Sequence, residues 1–260
     1  MAMVVWLFAG GGESEIEGLV PFLVDNFPGC KFERKTPVKS KPGPKVEKTG
    51  GHGHADLAKS KKTGPKRDWG DGYGHTGRGL ANQIKERLKS SLERGQLGDL
   101  ILVIDDLDCR DSADQEKTFL EAISKVPGAA AKPQCVGFAA PEIEAWIIAD
   151  WDNTIARHPD FKGCHERMRY WLSTNEVFFS NPESFSKINL EGDACENKLS
   201  EVIIESSKET NCKERYRKGI HTPELIKKIN PDTVSSKCPH FKKLYNYLQD
   251  FCDQRESQMN

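Results

Sequence analysis

Apolar runs alternate along this chain with stretches whose apolar residues recur at helical spacing. Residues 3–9 (Met-Val-Val-Trp-Leu-Phe-Ala) are apolar without polar interruption, which predicts a strand covered on both faces. Gly10, Gly11 and Gly12 end it. Ser14 stands as a cap ahead of Ile16, Leu19, Val20, Phe22 and Leu23. That pattern predicts a helix to about Asn26, with Pro21 kinking it or delaying its start. Leu80, Ile84, Leu88 and Leu92 predict a helix from Gly77 to Arg94, stopped by Gly95. Asp99–Asp105 is the clearest strand, and it runs into the acids Asp105, Asp106, Asp108 and Asp111. A helix over Ala113–Val126, a strand over Cys135–Ala139 and a helix over Pro141–Asp152 follow, the last with proline in its first turn. This order predicts an α/β fold: a parallel sheet with helices on both faces. Beyond residue 153 the pattern is mostly helical: Cys164–Leu172, Cys195–Lys208, Pro223–Asn230 and His240–Cys252. The expected organisation is a core at 1–152, with a basic insert at about 31–78, and a helical extension at 153–260 packed on it.

Charge sharpens the picture. Charged residues make up 30% of the chain and mean hydropathy is −0.63, so much of the surface is wet. No apolar run is long enough to predict a membrane span, and the N-terminus lacks the charged start and cleavage site of a signal peptide. Eight cysteines occur without CxxC pairs, and Cys109, Cys135 and Cys252 lie beside apolar or strand-like stretches. Reduced thiols and a cytoplasmic protein are therefore expected. The net charge of −1 hides an asymmetry: residues 31–78 carry 13 Lys/Arg against 5 Asp/Glu, a surplus of eight, and the remainder is −9. Such a limb either contacts phosphates or is a solvated loop. Its best nucleic-acid candidates are Lys59, Lys61, Lys62, Lys66 and Arg67, with Trp69 and Tyr73 nearby to stack on bases. His52, His54 and His75 lack the paired cysteines of a common zinc site and read as exposed polar residues.

In a parallel sheet the carboxyl ends of the strands open on one edge, where ligands bind. Acids follow three predicted strands: Glu13 and Glu15, then Asp106 and Asp108, then Glu142 and Glu144. Like charges brought together need a cation, and oxygen-only donors favour Mg²⁺ or Mn²⁺. Asp106 and Asp108 are two apart, so in extended backbone they share a side while Asp105 points away. Glu142 and Glu144, two apart on a helix, are separated by roughly 200° and cannot both face one ion. The apolar stripe Ile143, Trp146, Ile147 makes Glu144 the inward acid. Tyr216, Lys218 and His221 form a compact polar group, in which Lys218 stabilises phosphorane charge and His221 shuttles a proton, or both serve structurally. The glycine triplet is a phosphate cradle or a tight turn; no Lys-Ser/Thr follows, so it is not a P-loop.

Gly12-Glu-Ser-Glu15 after an apolar strand, then Val103-Ile-Asp-Asp-Leu-Asp108, then Ala140-Pro-Glu-Ile-Glu-Ala-Trp-Ile-Ile-Ala-Asp150, resembles the DUF4276 group of Toprim-like proteins. Tyr216-Arg-Lys218-Gly-Ile-His221-Thr-Pro and Cys238-Pro-His-Phe241 extend the resemblance over most of the chain outside the basic insert. The resemblance implies a Toprim-like core related to OLD-type nucleases. It implies Mg²⁺ (or Mn²⁺) held by Glu13 or Glu15, Asp106, Asp108 and Glu144. The expected activity is cleavage of DNA or RNA phosphodiesters, in an antiviral defence setting beside a partner ATPase. Catalytic roles fall on Glu15, Asp106, Asp108, Glu144, Lys218 and His221. One departure stands out. The slot that usually holds the first acid is Gly11, so Glu13 or Glu15 must serve, or the protein is a weakened, regulatory subunit docking on the ATPase.

Overall fold

A computed structural model describes residues 2–37, 75–96, 98–192 and 194–259, without the side chains of residues 13–15 and 255–259. The lysine and arginine cluster at 59–67 lies outside the described residues. The N-terminal half runs β1 (Met3–Ala9), α1 (Glu13–Asn26), β2 (Cys30–Arg34), α2 (Gly77–Glu93), β3 (Leu100–Asp106), α3 (Ser112–Ser124) and β4 (Gln134–Ala139). Four parallel strands form one sheet in the order β2-β1-β3-β4. The two longest apolar runs became its central strands, which are covered on both faces.

Alternation along those strands feeds two cores. Trp6, Phe8, Ile101 and Val103 point to one face and meet Leu80, Ile84 and Leu88 of α2 and Phe119 and Ile123 of α3. Val5, Leu7, Leu100, Leu102 and Ile104 point to the other face. There they meet α1 and the helices that follow β4: α4 (Glu144–Ala149), α5 (His165–Thr174), α6 (Leu199–Glu209), α7 (Lys218–Ile226), α8 (Pro231–Lys237) and α9 (Pro239–Met259). Each fully buried Leu, Ile or Phe contributes roughly 1.5–3 kcal/mol. Trp146, Phe241, Leu244 and Leu248 share a core with β1, so the C-terminal helices complete the sheet's packing. Gly18 of α1 is part of that fit: a Cβ there would lie 2.7 Å from Pro223 Cα, so only glycine admits α7 so closely. Phe178 is exposed.

Three local expectations are corrected. The basic insert expected from about residue 31 starts inside the sheet, because Lys31, Phe32, Glu33 and Arg34 belong to β2 at its edge, where Glu33 pairs with Lys31 and Lys35. The helix after β4 begins at Glu144 rather than at Pro141, so Glu142 lies in the turn before it. Cys109 is not a free thiol: it is bonded to Cys195, and Cys164 to Cys212. Cys109–Cys195 fastens a two-stranded ribbon, β5 (Ile188–Asn189) and β6 (Ala194–Cys195), to the loop after β3. Cys135 is free and buried. Among the described residues, no helix is long and apolar enough to cross a membrane.

Candidate active site

The strand order changes direction between β1 and β3. The chain leaves β1 through α1 on one face and leaves β3 through α3 on the other, so a crevice opens at their carboxyl ends. Gly10 donates its N–H to Ile104 O at 2.8 Å and continues the pairing past the end of β1. Asp105 lies against it. A Cβ on Gly10 would fall 1.8 Å from Asp105 Oδ1, so the side chain occupies the space glycine leaves. Asp105 is 3% exposed and accepts the Gly77 N–H at the start of α2, 2.7 Å away. Oδ1 has no hydrogen-bond partner among the described residues. Burial pushes its pKa up to about 7, against the Gly77 bond. Asp105 thus ties β1, β3 and α2 together. It points away from Asp106, as the alternation of a strand requires.

Asp106 points to the opposite face, where Oδ1 accepts the Ile143 N–H at 3.0 Å. Asp108 follows in left-handed backbone (φ 48°), as does Cys109 (φ 62°), and its N–H is held by Pro141 O. Arg110 Nη1 approaches Asp108 Oδ2 at 3.3 Å. Burial raises the Asp108 pKa; Arg110 opposes this, and the nearby charge of Glu142 adds to it.

Glu142 and Glu144 converge, contrary to the expectation that they face different ways. Glu142 is not on the helix, so the 200° argument does not apply to it. Both reach Lys218 Nζ, Glu142 at 3.6 Å and Glu144 at 3.3 Å. Glu142 also accepts the N–H and hydroxyl of Ser200. Glu144, fully buried, accepts the Thr222 hydroxyl at 2.8 Å, and Thr222 is 2.7 Å from the Tyr216 hydroxyl. A lysine therefore supplies the cation these two glutamates require.

His221 sits apart from the acids. It packs against His158, Phe161 and Tyr216, and its Nε2 faces Asp160 at 3.6 Å. Burial lowers its pKa, the charge of His158 adds to the lowering, and Asp160 opposes both. His158, Asp160 and His221 each place one potential ligand atom within 4.8 Å of the others. The tautomers argue against an ion there. The Arg217 N–H donates to His221 Nδ1, and the Asp160 N–H to His158 Nδ1. In neutral rings that leaves the proton on Nε2, directed at Asp160 from His221 and at Glu224 from His158. The group is a buried clasp between α7 and the segment before α5.

A family model described as a domain of unknown function, DUF4276, matches residues 73–249, about two-thirds of the chain. The chain belongs to the DUF4276 family. No curated protein and no solved structure matches it. The DUF4276 match includes Asp106, Asp108, Glu142, Glu144 and Lys218 but stops short of the glycine triplet, Glu13 and Glu15. The side chains of Glu13 and Glu15 are outside the described residues. Arg110, Ser200 and Thr222 were not singled out from sequence, whereas Asp105 was, as the acid on the other side of the strand end.

Proposed function

We propose that this protein is a Toprim-like, metal-dependent phosphodiesterase acting on nucleic acid. The observation that carries the reading is a run of linked groups at the carboxyl edge of a parallel sheet: Asp106 accepts the Ile143 N–H between Glu142 and Glu144, both glutamates reach Lys218, and Asp108 lies within reach of the charges of Glu142 and Lys218. The donors fit a hard divalent ion because they are carboxylate oxygens. Asp106 and Asp108 would hold Mg²⁺ or Mn²⁺, which would neutralise a phosphoryl oxygen and provide a nucleophilic water. Glu142 and Glu144 have a different task here: they fix Lys218. Its side chain is 30% exposed, so the ammonium is positioned by the two glutamates yet open to a substrate phosphate. Thr222 and Tyr216 hold Glu144 in place. His221, turned toward Asp160, takes no part in this scheme.

Incubating plasmid, single-stranded DNA and tRNA with the protein and Mg²⁺ or Mn²⁺ tests the reading. Cleavage is expected for the parent and not for Asp106→Ala/Asp108→Ala. Equal cleavage by both would show that the wrong residues have been chosen. A second reading, a catalytically weak subunit that docks on an ATPase, is favoured by two features. Gly11 stands in the slot of the first acid, and Lys218 already balances the two glutamates. It predicts no metal binding and no cleavage in any variant, including Gly11→Glu.

A further inference from the structure

We propose that the groove between α2 and α3 is a track for the phosphodiester backbone of a nucleic-acid strand. The inference rests on the phosphodiesterase reading of the acid site and names the surface that would deliver its substrate.

The groove has a volume of about 380 Å³ and is lined by Arg78, Asn82 and Lys85 of α2 and by Thr118 and Glu121 of α3 with its C-cap Lys125. Ala81 and Ala122, both buried, form its floor, and their small side chains keep it open. The lining follows helix geometry. Arg78 and Lys85 are seven residues apart on one face of α2, and Thr118 of α3 and Lys125, its C-cap, are seven apart. Each pair spans roughly 10 Å along its helix. Three cations thus face a single carboxylate, Glu121.

These cations are available. Arg78 and Lys125 make no ion pair among the described residues, and Lys85 reaches only Glu86, at 4.0 Å with both side chains in solvent. Asn82 adds an amide donor between the charges, while the Thr118 hydroxyl already donates to Asp114 O. Such a surface suits a repeating anion better than a compact one, because its charges are strung along the groove.

The groove also leads to the acids. Arg78 adjoins Gly77, where a Cβ would lie 3.5 Å from Arg110 Nη1. Arg110 in turn reaches Asp108. A strand lying over Arg78 would therefore continue past Arg110 to the Asp106–Asp108 edge.

The test measures binding of labelled dT20 and rU20 to the full chain by fluorescence anisotropy, across a salt series, with EDTA present so that nothing is cleaved. Arg78→Ala/Lys85→Ala/Lys125→Ala should bind on the order of tenfold more weakly, and the slope of log affinity against log salt should fall by about 2. Lys227→Ala/Lys228→Ala, two exposed lysines after α7, should keep the parent's affinity and slope. Circular dichroism checks that the triple variant is folded. Equal loss for both oligonucleotides marks backbone recognition, and loss for one alone marks the preferred sugar. The proposal is overturned if the triple variant binds like the parent, if the control pair loses as much, or if the parent binds neither oligonucleotide. Because binding is read without metal or turnover, a failed cleavage assay leaves this result standing, and the reverse also holds.

Discussion

Replacing Gly10 with alanine tests whether Asp105 is wedged where the geometry puts it. The new Cβ would fall 1.8 Å from Asp105 Oδ1 and 2.8 Å from Cγ, but 3.4 Å from Cα. The backbone can accept it and the carboxyl group cannot. Asp105 has nowhere easy to go: it is buried, and its other oxygen holds the Gly77 N–H. Overpacking of this kind costs about 1–3 kcal/mol, and giving up a hydrogen bond to a charged group about 1.5–3 kcal/mol. Gly10→Ala should therefore destabilise the protein by about 3 kcal/mol. Urea unfolding followed by far-ultraviolet circular dichroism measures it. The decisive comparison is the same substitution in an Asp105→Ala background, where the offending atoms are gone. There it should cost under about 1 kcal/mol, a coupling of about 2 kcal/mol between the two sites. If Gly10→Ala costs the same in both backgrounds, Asp105 is not what the glycine accommodates.

Two further outcomes follow from other parts of the structure. Lys218→Met should leave Glu142 and Glu144 uncompensated, destabilising the fold by about 3–5 kcal/mol at neutral pH. Acid should narrow the gap by protonating the glutamates, and thermal melts at pH 5 and pH 8 check both points. Glu183 accepts the N–H groups of His240 and Phe241 at the start of α9, and burial pushes its pKa up to about 7. Its folded pKa exceeds the unfolded one, so its stabilisation is full below about 4.5 and is lost as pH rises through 7. Glu183→Gln should flatten that part of the stability-against-pH curve, and an unchanged curve would remove Glu183 from the explanation.

Much of the sheet was legible because burial leaves a local mark. The apolar runs of β1, β3 and β4 and the spacing of Leu80, Ile84 and Leu88 in α2 each name the element and the face it buries. β2 was missed because an edge strand needs only one apolar side. Cys30 and Phe32 supply it, while Lys31, Glu33 and Arg34 read as part of the basic limb. The acids at the strand ends were legible as types and positions. Their partners were not. Nothing local shows that Lys218 comes back to Glu142 and Glu144, or that Ser200 holds Glu142. The group Tyr216, Lys218, His221 was visible as a cluster but not as a division. On α7, Lys218 and Thr222 are four residues apart and roughly 40° out of line, so both reach Glu144. His221 is turned from them and faces Asp160. The start of α4 decided the fate of Glu142, and helix boundaries are where pattern reading is weakest.

In the proposed function Asp106 and Asp108 would form a divalent-ion site. Titrating Mn²⁺ into the protein, with free ion followed by electron paramagnetic resonance, is the decisive test. The parent should bind Mn²⁺ saturably, Mg²⁺ should compete, and Asp106→Asn/Asp108→Asn should lose that site. Parent protein that binds no Mn²⁺, or a double variant that binds it equally well, would rule the site out.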